Sequence, residues 1–152
     1  MLVAINRNRW IISPEYASVK RQQITPKKAY CIDTGLSNAV GFGFSPNTGN
    51  LLENLVFLAL RRQTHEIYYC ATPGGYEMDF YLPENCQLIQ VAHNLDASCT
   101  ATREREVRAL SDALTGVKVE SALILSDANE NSFELGGVRV EVRSLGVWLL
   151  SQ

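Results

Sequence analysis

Three short apolar-rich segments follow one another in the middle of the chain, and their spacing limits what it can fold into. They run from Glu66 to Ala71, from Tyr76 to Leu82 and from Gln87 to His93. The two connections, Thr72-Pro73-Gly74-Gly75 and Pro83-Glu84-Asn85, are short and rich in turn-forming residues. Because connections this short join antiparallel neighbours, the pattern predicts a three-stranded antiparallel meander.

The second of these strands alternates between apolar and polar residues. Since side chains on a strand point to opposite faces in turn, Tyr76, Met78, Phe80 and Leu82 are predicted on one face. Glu77, Asp79 and Tyr81 are predicted on the other.

The segments around the meander predict an α/β fold with a mixed sheet. Leucines at three- and four-residue spacings indicate a helix that opens at Thr48-Gly49 and ends near Arg61-Arg62, with Glu53 in its first turn. A second helix is predicted from Thr102 to Leu114. The nearly continuous apolar run 119–126 is typical of a strand covered on both faces, which suits a parallel partner reached through that helix. A small hairpin (133–142) and a short helix (145–150) complete the pattern.

Composition places the chain among single-domain proteins that fold without metal or disulfides. Of its 152 residues, 46% are hydrophobic and 20% charged, and the longest apolar run, 55–60, is too short to cross a membrane. The N-terminus lacks the features of a signal peptide, so we expect a cytoplasmic protein. The four cysteines form no Cys-x-x-Cys pair, which disfavours a structural zinc site and favours reduced thiols.

Charge is distributed unevenly along the chain. The first 30 residues carry six basic residues against one acidic residue, whereas the remainder carries a net charge of −7. Such a basic arm, with Lys27 and Lys28 at its end, is suited to contact the phosphates of DNA. A solvated linker explains the same pattern.

Three oxygen-bearing side chains are predicted to meet at one edge of the sheet. If the first helix packs across the meander, Glu53, Asp79 and Gln90 converge there. Mg²⁺ is usually bound by one or two carboxylates, with water completing its coordination. Here Glu53 and Asp79 are the predicted metal ligands. Acidic residues on an amphipathic strand are also typical of a merely solvated face.

Several motifs, in order, resemble the C-terminal domain of a family of prokaryotic AAA+-type ATPases. The resemblance covers residues 26–150 and rests on KKAYCIDTGL (27–36), GNLLENLVF (49–57), GYEMDF (75–80), LIQV (88–91), TRERE (102–106) and WLL (148–150). It implies a restriction-endonuclease-like fold of the PD-(D/E)XK class for residues 27–152. Residues 1–26 are then a linker or the remnant of a preceding module.

The resemblance also implies roles for individual residues. Glu53 corresponds to the helix acid, Asp79 to the metal-binding aspartate and Gln90 to the Glu or Gln of the last motif. Active nucleases of this class carry a lysine two positions after that residue, and here Ala92 stands instead. We therefore expect a nucleic-acid-binding or regulatory accessory domain without cleavage, and a modest gain of activity in Ala92→Lys. The alternatives are an active metal-dependent nuclease, in which another group replaces the lysine, and a protein-interaction domain.

The ATPase module of such proteins is not part of this sequence. The chain contains no Gly-x-x-x-x-Gly-Lys-Ser/Thr loop, so it has no ATP site of that kind, and an ATPase domain is expected as a partner in cis or in trans. Arg103 and Arg105, with Arg108, form a candidate phosphate-binding face on the second helix. Interleaved with glutamates, they also fit an ordinary charged surface.

Overall fold

The computed structural model describes residues 3–5, 28–31, 48–72, 74–92, 100–127 and 130–152. Eight strands and three α-helices lie within these ranges. In chain order they are β1 (Val3–Ile5), β2 (Ala29–Cys31), α1 (Thr48–Gln63), β3 (Tyr68–Ala71), β4 (Glu77–Leu82), β5 (Gln87–Ala92), α2 (Thr100–Gly116), β6 (Ser121–Ser126), β7 (Asn131–Leu135), β8 (Val138–Ser144) and α3 (Leu145–Leu150).

Six of the strands form one mixed sheet in the order β3-β4-β5-β6-β8-β7. The predicted meander is confirmed, because β3, β4 and β5 pair antiparallel. The parallel partner predicted for the apolar run is also confirmed: β6 pairs with β5 in parallel, from Gln87 opposite Ser121 to Ala92 opposite Ser126. β8 lies parallel to β6 on its other side, and the predicted hairpin adds β7 at the edge.

Helices cover both faces of this sheet. On one face, Val56, Phe57 and Leu60 of α1 pack with Leu145 and Trp148 at α3 against apolar side chains of β4, β5 and β6. We refer to this side as the α1 face. On the opposite side, the α2 face, Ala109, Leu110 and Ala113 of α2 pack against the same strands. The spacing of three and four residues in both helices is what buries one stripe of each helix.

Strand β4 contains a β-bulge at Asp79-Phe80. Its pairing with β3 shifts by one residue, so these two residues stand opposite Tyr69 alone. As a result, Met78 and Tyr81 both lie in the α2-face cluster, while Phe80 and Leu82 lie in the α1-face cluster. The predicted uninterrupted alternation of β4 is therefore wrong, since an extra residue reverses the faces halfway along the strand.

The N-terminal residues that are described form a separate strand pair, in which β1 runs antiparallel to β2. β1 lies within the segment predicted as a linker; whether residues 1–26 belong to another module stays a prediction. Within the described residues, Cys70 and Cys86 are free thiols; that all four cysteines are reduced stays a prediction. Among the residues that the structure describes, no helix is long and apolar enough to span a membrane.

Candidate functional site

The ammonium group of Lys28 lies among three carboxylates. Its Nζ is 3.0 Å from Oε1 of Glu53, 2.8 Å from Oε1 of Glu77 and 3.1 Å from Oδ1 of Asp79. The side chains of Lys28 and Glu53 are each 18% exposed and that of Asp79 is 13% exposed, whereas Glu77 is 53% exposed. We refer to these four residues as the acidic cluster. Its formal charge is −2, distributed around one central cation.

The bulge in β4 supplies one side of the acidic cluster. On a regular strand, neighbouring side chains point to opposite faces. Because Phe80 faces α1, Asp79 would then face α2 if β4 had no bulge. With the bulge, Asp79 reaches the same ammonium as Glu53 of α1. The structure thus brings Glu53 and Asp79 together as the sequence predicts, and it does so through a β-bulge that the alternation of β4 did not predict.

The segment that leads into strand β2 supplies the cation, and the strand supplies a hydrogen bond. Lys28 immediately precedes the strand, and Tyr30, two residues on, donates a hydrogen bond of 2.7 Å from its hydroxyl to Oε1 of Glu53. The ring of Tyr30 is buried and stacked on Phe57, with centroids 4.0 Å apart and planes inclined by 10°. The packing of this ring therefore fixes where β2 lies and which acids the lysine reaches.

Asp79 and Gln90 are joined through the backbone. The backbone N–H of Asp79 donates to Oε1 of Gln90 at 3.1 Å, and Oδ2 of Asp79 accepts from the backbone N–H of Val91 at 2.9 Å. Regular pairing of β4 with β5 begins only at Phe80 opposite Ile89. Side chains thus replace the ladder hydrogen bonds where the two strands separate, which places Gln90 beside Asp79 and outside direct contact with Lys28.

The pKa values follow from burial and from the close charges. Burial raises the pKa of Asp79 to about 6; Lys28 opposes this shift and Glu53 adds to it. Burial alone would lower the pKa of Lys28, but Asp79 and Glu53 outweigh it and raise that pKa above its ordinary value. Burial and the neighbouring Glu53 raise the pKa of Tyr30. Lys28 is therefore a permanent cation at neutral pH.

The carboxylate oxygens of the acidic cluster are ligands that a hard divalent ion prefers, but they are arranged around the Lys28 ammonium instead. Carboxylate oxygens of Glu53 and Asp79 are the atoms that would hold Mg²⁺, whose ligands lie at about 2.0–2.1 Å. The Lys28 ammonium already fills the space between them. In the described part of the chain, no group of three or more His, Cys, Asp or Glu side chains has the geometry of a metal site. A divalent ion would have to displace the lysine.

Ala92 lies away from the acidic cluster. It is 5% exposed and packs in the α2-face cluster with Leu88 and Leu110. A lysine at this position would point into an apolar core. The expected gain of activity in Ala92→Lys therefore has no structural basis.

The candidate phosphate-binding residues divide into three groups. Lys27 and the side chain of Arg103, on α2, lie outside the described residues. The sequence predicts that Lys28 contacts phosphate, but its ammonium is engaged by three carboxylates. Arg105 is exposed and its guanidinium lies 2.8 Å from the carboxylate of Glu106, which is buried. Arg108 pairs with Glu104 at 3.3 Å, and both of these side chains are exposed, as expected for a charged helix surface.

The position of Lys28 is the functional feature that sequence reasoning missed. The segment Lys28-Ala29-Tyr30 carried a usable signal, because a spacing of two on a strand places the lysine and the tyrosine on one face. The sequence does not predict that this face contacts Glu53, because that contact depends on how β2 packs against α1.

Comparison with known proteins gives one informative similarity. No protein-family model matches the sequence. The chain is similar to the uncharacterised protein MJ1544 of Methanocaldococcus jannaschii, with 37% identity over 122 residues. The aligned region is 77% of this chain and 26% of that protein. The chain thus spans about a quarter of the length of the relative.

Proposed function

We propose that this chain is a restriction-endonuclease-like accessory domain of a prokaryotic ATPase, which binds nucleic acid or regulates the ATPase without cleaving DNA. The observation that carries the proposal is the Lys28 ammonium within 3.1 Å of three carboxylates. Further support comes from the order of elements, in which a helix, a three-stranded meander, a helix and a parallel strand surround an acidic cluster.

The position of Lys28 argues against a metal-loaded site on energetic grounds. A partly buried ammonium with three carboxylate partners is expensive to remove, since the carboxylates left behind lose their counter-charge. Mg²⁺ also binds only after shedding part of its hydration shell, which it does reluctantly. The lysine therefore offsets part of the negative charge of the acids in the place where a nuclease would hold its metal.

The length of the archaeal relative supports a role within a larger assembly. The region similar to this chain is 26% of that protein, so the domain occurs there beside a much longer polypeptide. An ATPase module joined in cis, or bound in trans, agrees with the motifs of the sequence. DNA contact would come from the basic residues of the N-terminal 30, with Lys28 excluded because it is engaged in the acidic cluster.

The second candidate is a metal-dependent nuclease, and the same lysine favours it. Nucleases of this class need a cationic group to orient the attacking water or to offset charge that develops on the phosphate. Ala92 cannot supply that group, whereas Lys28 lies beside both Glu53 and Asp79. In this case Lys28 would leave one carboxylate when Mg²⁺ binds there and would turn toward the phosphate.

One variant separates the two candidates. Lys28→Met keeps the length of the side chain and removes its charge, and Lys118→Met on the surface is the matched control. Under the accessory-domain proposal, calorimetry detects no Mn²⁺ binding by the wild type at millimolar concentrations. Lys28→Met then gains a Mn²⁺ site, which is lost again in Lys28→Met/Asp79→Asn.

Cleavage of plasmid and single-stranded DNA gives the complementary readout. The proposal expects no product above background from the wild type with Mg²⁺ or Mn²⁺. Robust cleavage that falls about 10²- to 10³-fold in Lys28→Met and disappears in Asp79→Asn would establish the nuclease instead. Cleavage that survives Asp79→Asn would come from a contaminant.

DNA binding is tested by fluorescence anisotropy at several salt concentrations. Because basic residues that contact phosphates release counterions, affinity is expected to fall steeply as salt rises. Deletion of residues 1–26 is expected to weaken binding and to flatten that dependence. Absence of DNA binding by the intact chain at low salt would favour the protein-interaction alternative.

A further inference from the structure

A polar cavity lies at the end of the sheet opposite the acidic cluster. It has a volume of about 320 Å³ and opens between the end of α1, the first residues of β5 and β6, and strand β8. Glu53 and Gln63 lie ten residues apart on α1, so the two places are separated by about 15 Å along that helix. The cavity is therefore independent of the acidic cluster.

The wall of the cavity formed by β8 carries positive charge. Arg139, Glu141 and Arg143 alternate with the valines of this strand, of which Val140 is buried in the α2-face cluster. The three charged residues therefore share the α1 face, where they line the cavity and the two arginines are exposed. Arg139 Nε lies 3.5 Å from Oε1 of Glu141, at the long end for an ion pair. Within the described ranges, Arg143 makes no ion pair with a carboxylate. The wall thus holds two guanidinium groups and one carboxylate.

The opposite wall is rich in amides above an apolar floor. Gln63, Asn85, Gln87 and Gln152 line the cavity, and the side chain of Gln63 donates a hydrogen bond to that of Gln152. Buried side chains such as Leu123 and Trp148 form the floor. Amides both donate and accept hydrogen bonds, as a heteroaromatic base or a sugar requires. The volume falls within the range of about 300–1,000 Å³ that is usual for small-molecule sites.

We propose that this cavity binds a nucleotide-sized organic phosphate, with the phosphate against Arg139 and Arg143 and the organic part against the amides. Guanidinium groups form bidentate hydrogen bonds with phosphate oxygens, and two of them on one wall outweigh the single Glu141. The phosphate comes either from a free mononucleotide or from the 5′ end of a DNA strand. The site is separate from any chemistry of the acidic cluster.

Binding of adenosine 5′-monophosphate by the intact chain, measured by titration calorimetry in EDTA, tests the proposal. Adenosine without the phosphate is expected to bind at least tenfold more weakly. In ¹⁵N-correlated NMR spectra, the shifts on binding should centre on Gln87, Ser121 and Arg139, with Glu53 and Asp79 unmoved. Shifts centred on the acidic cluster, or equal affinity for adenosine, would overturn the proposal.

Charge removal at the cavity wall supplies the matched variants. Arg139→Gln/Arg143→Gln is expected to lose at least tenfold in affinity, whereas the exposed Arg108→Gln on α2 keeps it; a melting curve checks that each variant is folded. Equal loss in both, or no binding by the wild type at millimolar nucleotide, would refute the site. A strand with a 5′-phosphate that binds better than the same strand with a 5′-hydroxyl identifies DNA ends as the source. Preference for the mononucleotide over both strands identifies the free nucleotide.

Discussion

Strands β4 and β6 lie two positions apart in the same sheet and differ in the regularity of their pairing. β6 pairs in strict register with a parallel neighbour on each side, and its side chains divide regularly between the two faces, with Ala122 and Ile124 toward α2 and Leu123 and Leu125 toward α1. Because of its bulge, β4 changes the faces of its alternate residues halfway along: Met78 faces α2, whereas Phe80 and Leu82 face α1. Of these two strands, only β4 carries a charged side chain that is largely removed from solvent, that of Asp79.

The comparison shows how a charged group can be held in a sheet at small cost to the core. The bulge allows Met78 and Phe80 to be buried on opposite faces, so each helix keeps its apolar contacts. The residue between them, Asp79, is released to the α1 face, where Lys28 and the Val91 N–H satisfy its two oxygens. β6 has no such bulge and is buried on both faces from Ala122 to Leu125, so a charged side chain introduced there would be buried without a partner.

The largest effect is expected where a charge is placed on a regular strand. Ala92→Lys puts an ammonium group into the α2-face cluster, and the cost of burying it unpaired is about 5 kcal/mol, equivalent to three or four pKa units. Urea denaturation should show this loss, and Ala92→Met, which adds similar bulk without charge, should lose only about 1–3 kcal/mol. Equal stability of the Ala92→Lys and Ala92→Met variants would mean that this end of β5 is open to solvent.

Removing the cation from the bulged strand is expected to cost somewhat less. Lys28→Met leaves Glu53 and Asp79 without their shared counter-charge, and breaking such a pair destabilises by about 3 kcal/mol. Because both acids contact the same ammonium, Asp79→Asn in the Lys28→Met background should recover part of that loss. Lys118→Met, which removes a fully exposed ion pair with Glu120, should leave the denaturation midpoint unchanged. Additive losses in the double variant would contradict a shared cluster.

The regular parts of the fold could be predicted from sequence and the acidic cluster only in part. Periodicity and turn residues are local, so the meander, both long helices, the parallel strand and α3 lie within a few residues of their predicted bounds. Glu53 is an exception, because α1 begins at Thr48 and the acid therefore belongs to the second turn. Its carboxylate is held by Lys28 and Tyr30.

The bulge and the lysine could not be predicted for a common physical reason. Both depend on contacts between segments that are distant in sequence. Whether β4 accommodates an extra residue is decided by its pairing with β3, and whether Lys28 meets Asp79 is decided by the stacking of Tyr30 on Phe57. The resemblance to the ATPase family assigned Glu53, Asp79 and Gln90 to the site. The position of β2 relative to α1 could not be predicted from the sequence.

The raised pKa of Asp79 predicts a pH dependence that β6, without ionisable groups, cannot have. Because the pKa rises from 3.8 to about 6 on folding, the folded protein holds this proton more tightly than the unfolded chain. The carboxyl therefore stabilises the fold at low pH, and this contribution of about 2–3 kcal/mol is lost as the pH rises from about 4 to about 6.

Urea denaturation of the wild type and Asp79→Asn between pH 4 and pH 7 measures this contribution. The stability of the wild type relative to the variant should fall as the pH rises through that range. Glu134→Gln, at an exposed position on β7, serves as the control and should give a curve parallel to that of the wild type. Parallel curves for Asp79→Asn as well would show that burial does not raise this pKa.

The smallest effect is expected from the hydroxyl of Tyr30, and it separates two ways of fixing β2. Tyr30→Phe keeps the ring stacked on Phe57 and removes only the 2.7 Å hydrogen bond to Glu53. A hydrogen bond to a charged group is worth about 1.5 kcal/mol, so urea denaturation should show a loss of that size. Tyr76→Phe is the control, because within the described residues the Tyr76 hydroxyl makes no hydrogen bond. A loss as large as that of Lys28→Met would mean that the hydroxyl, and not the ring, places the lysine among the carboxylates.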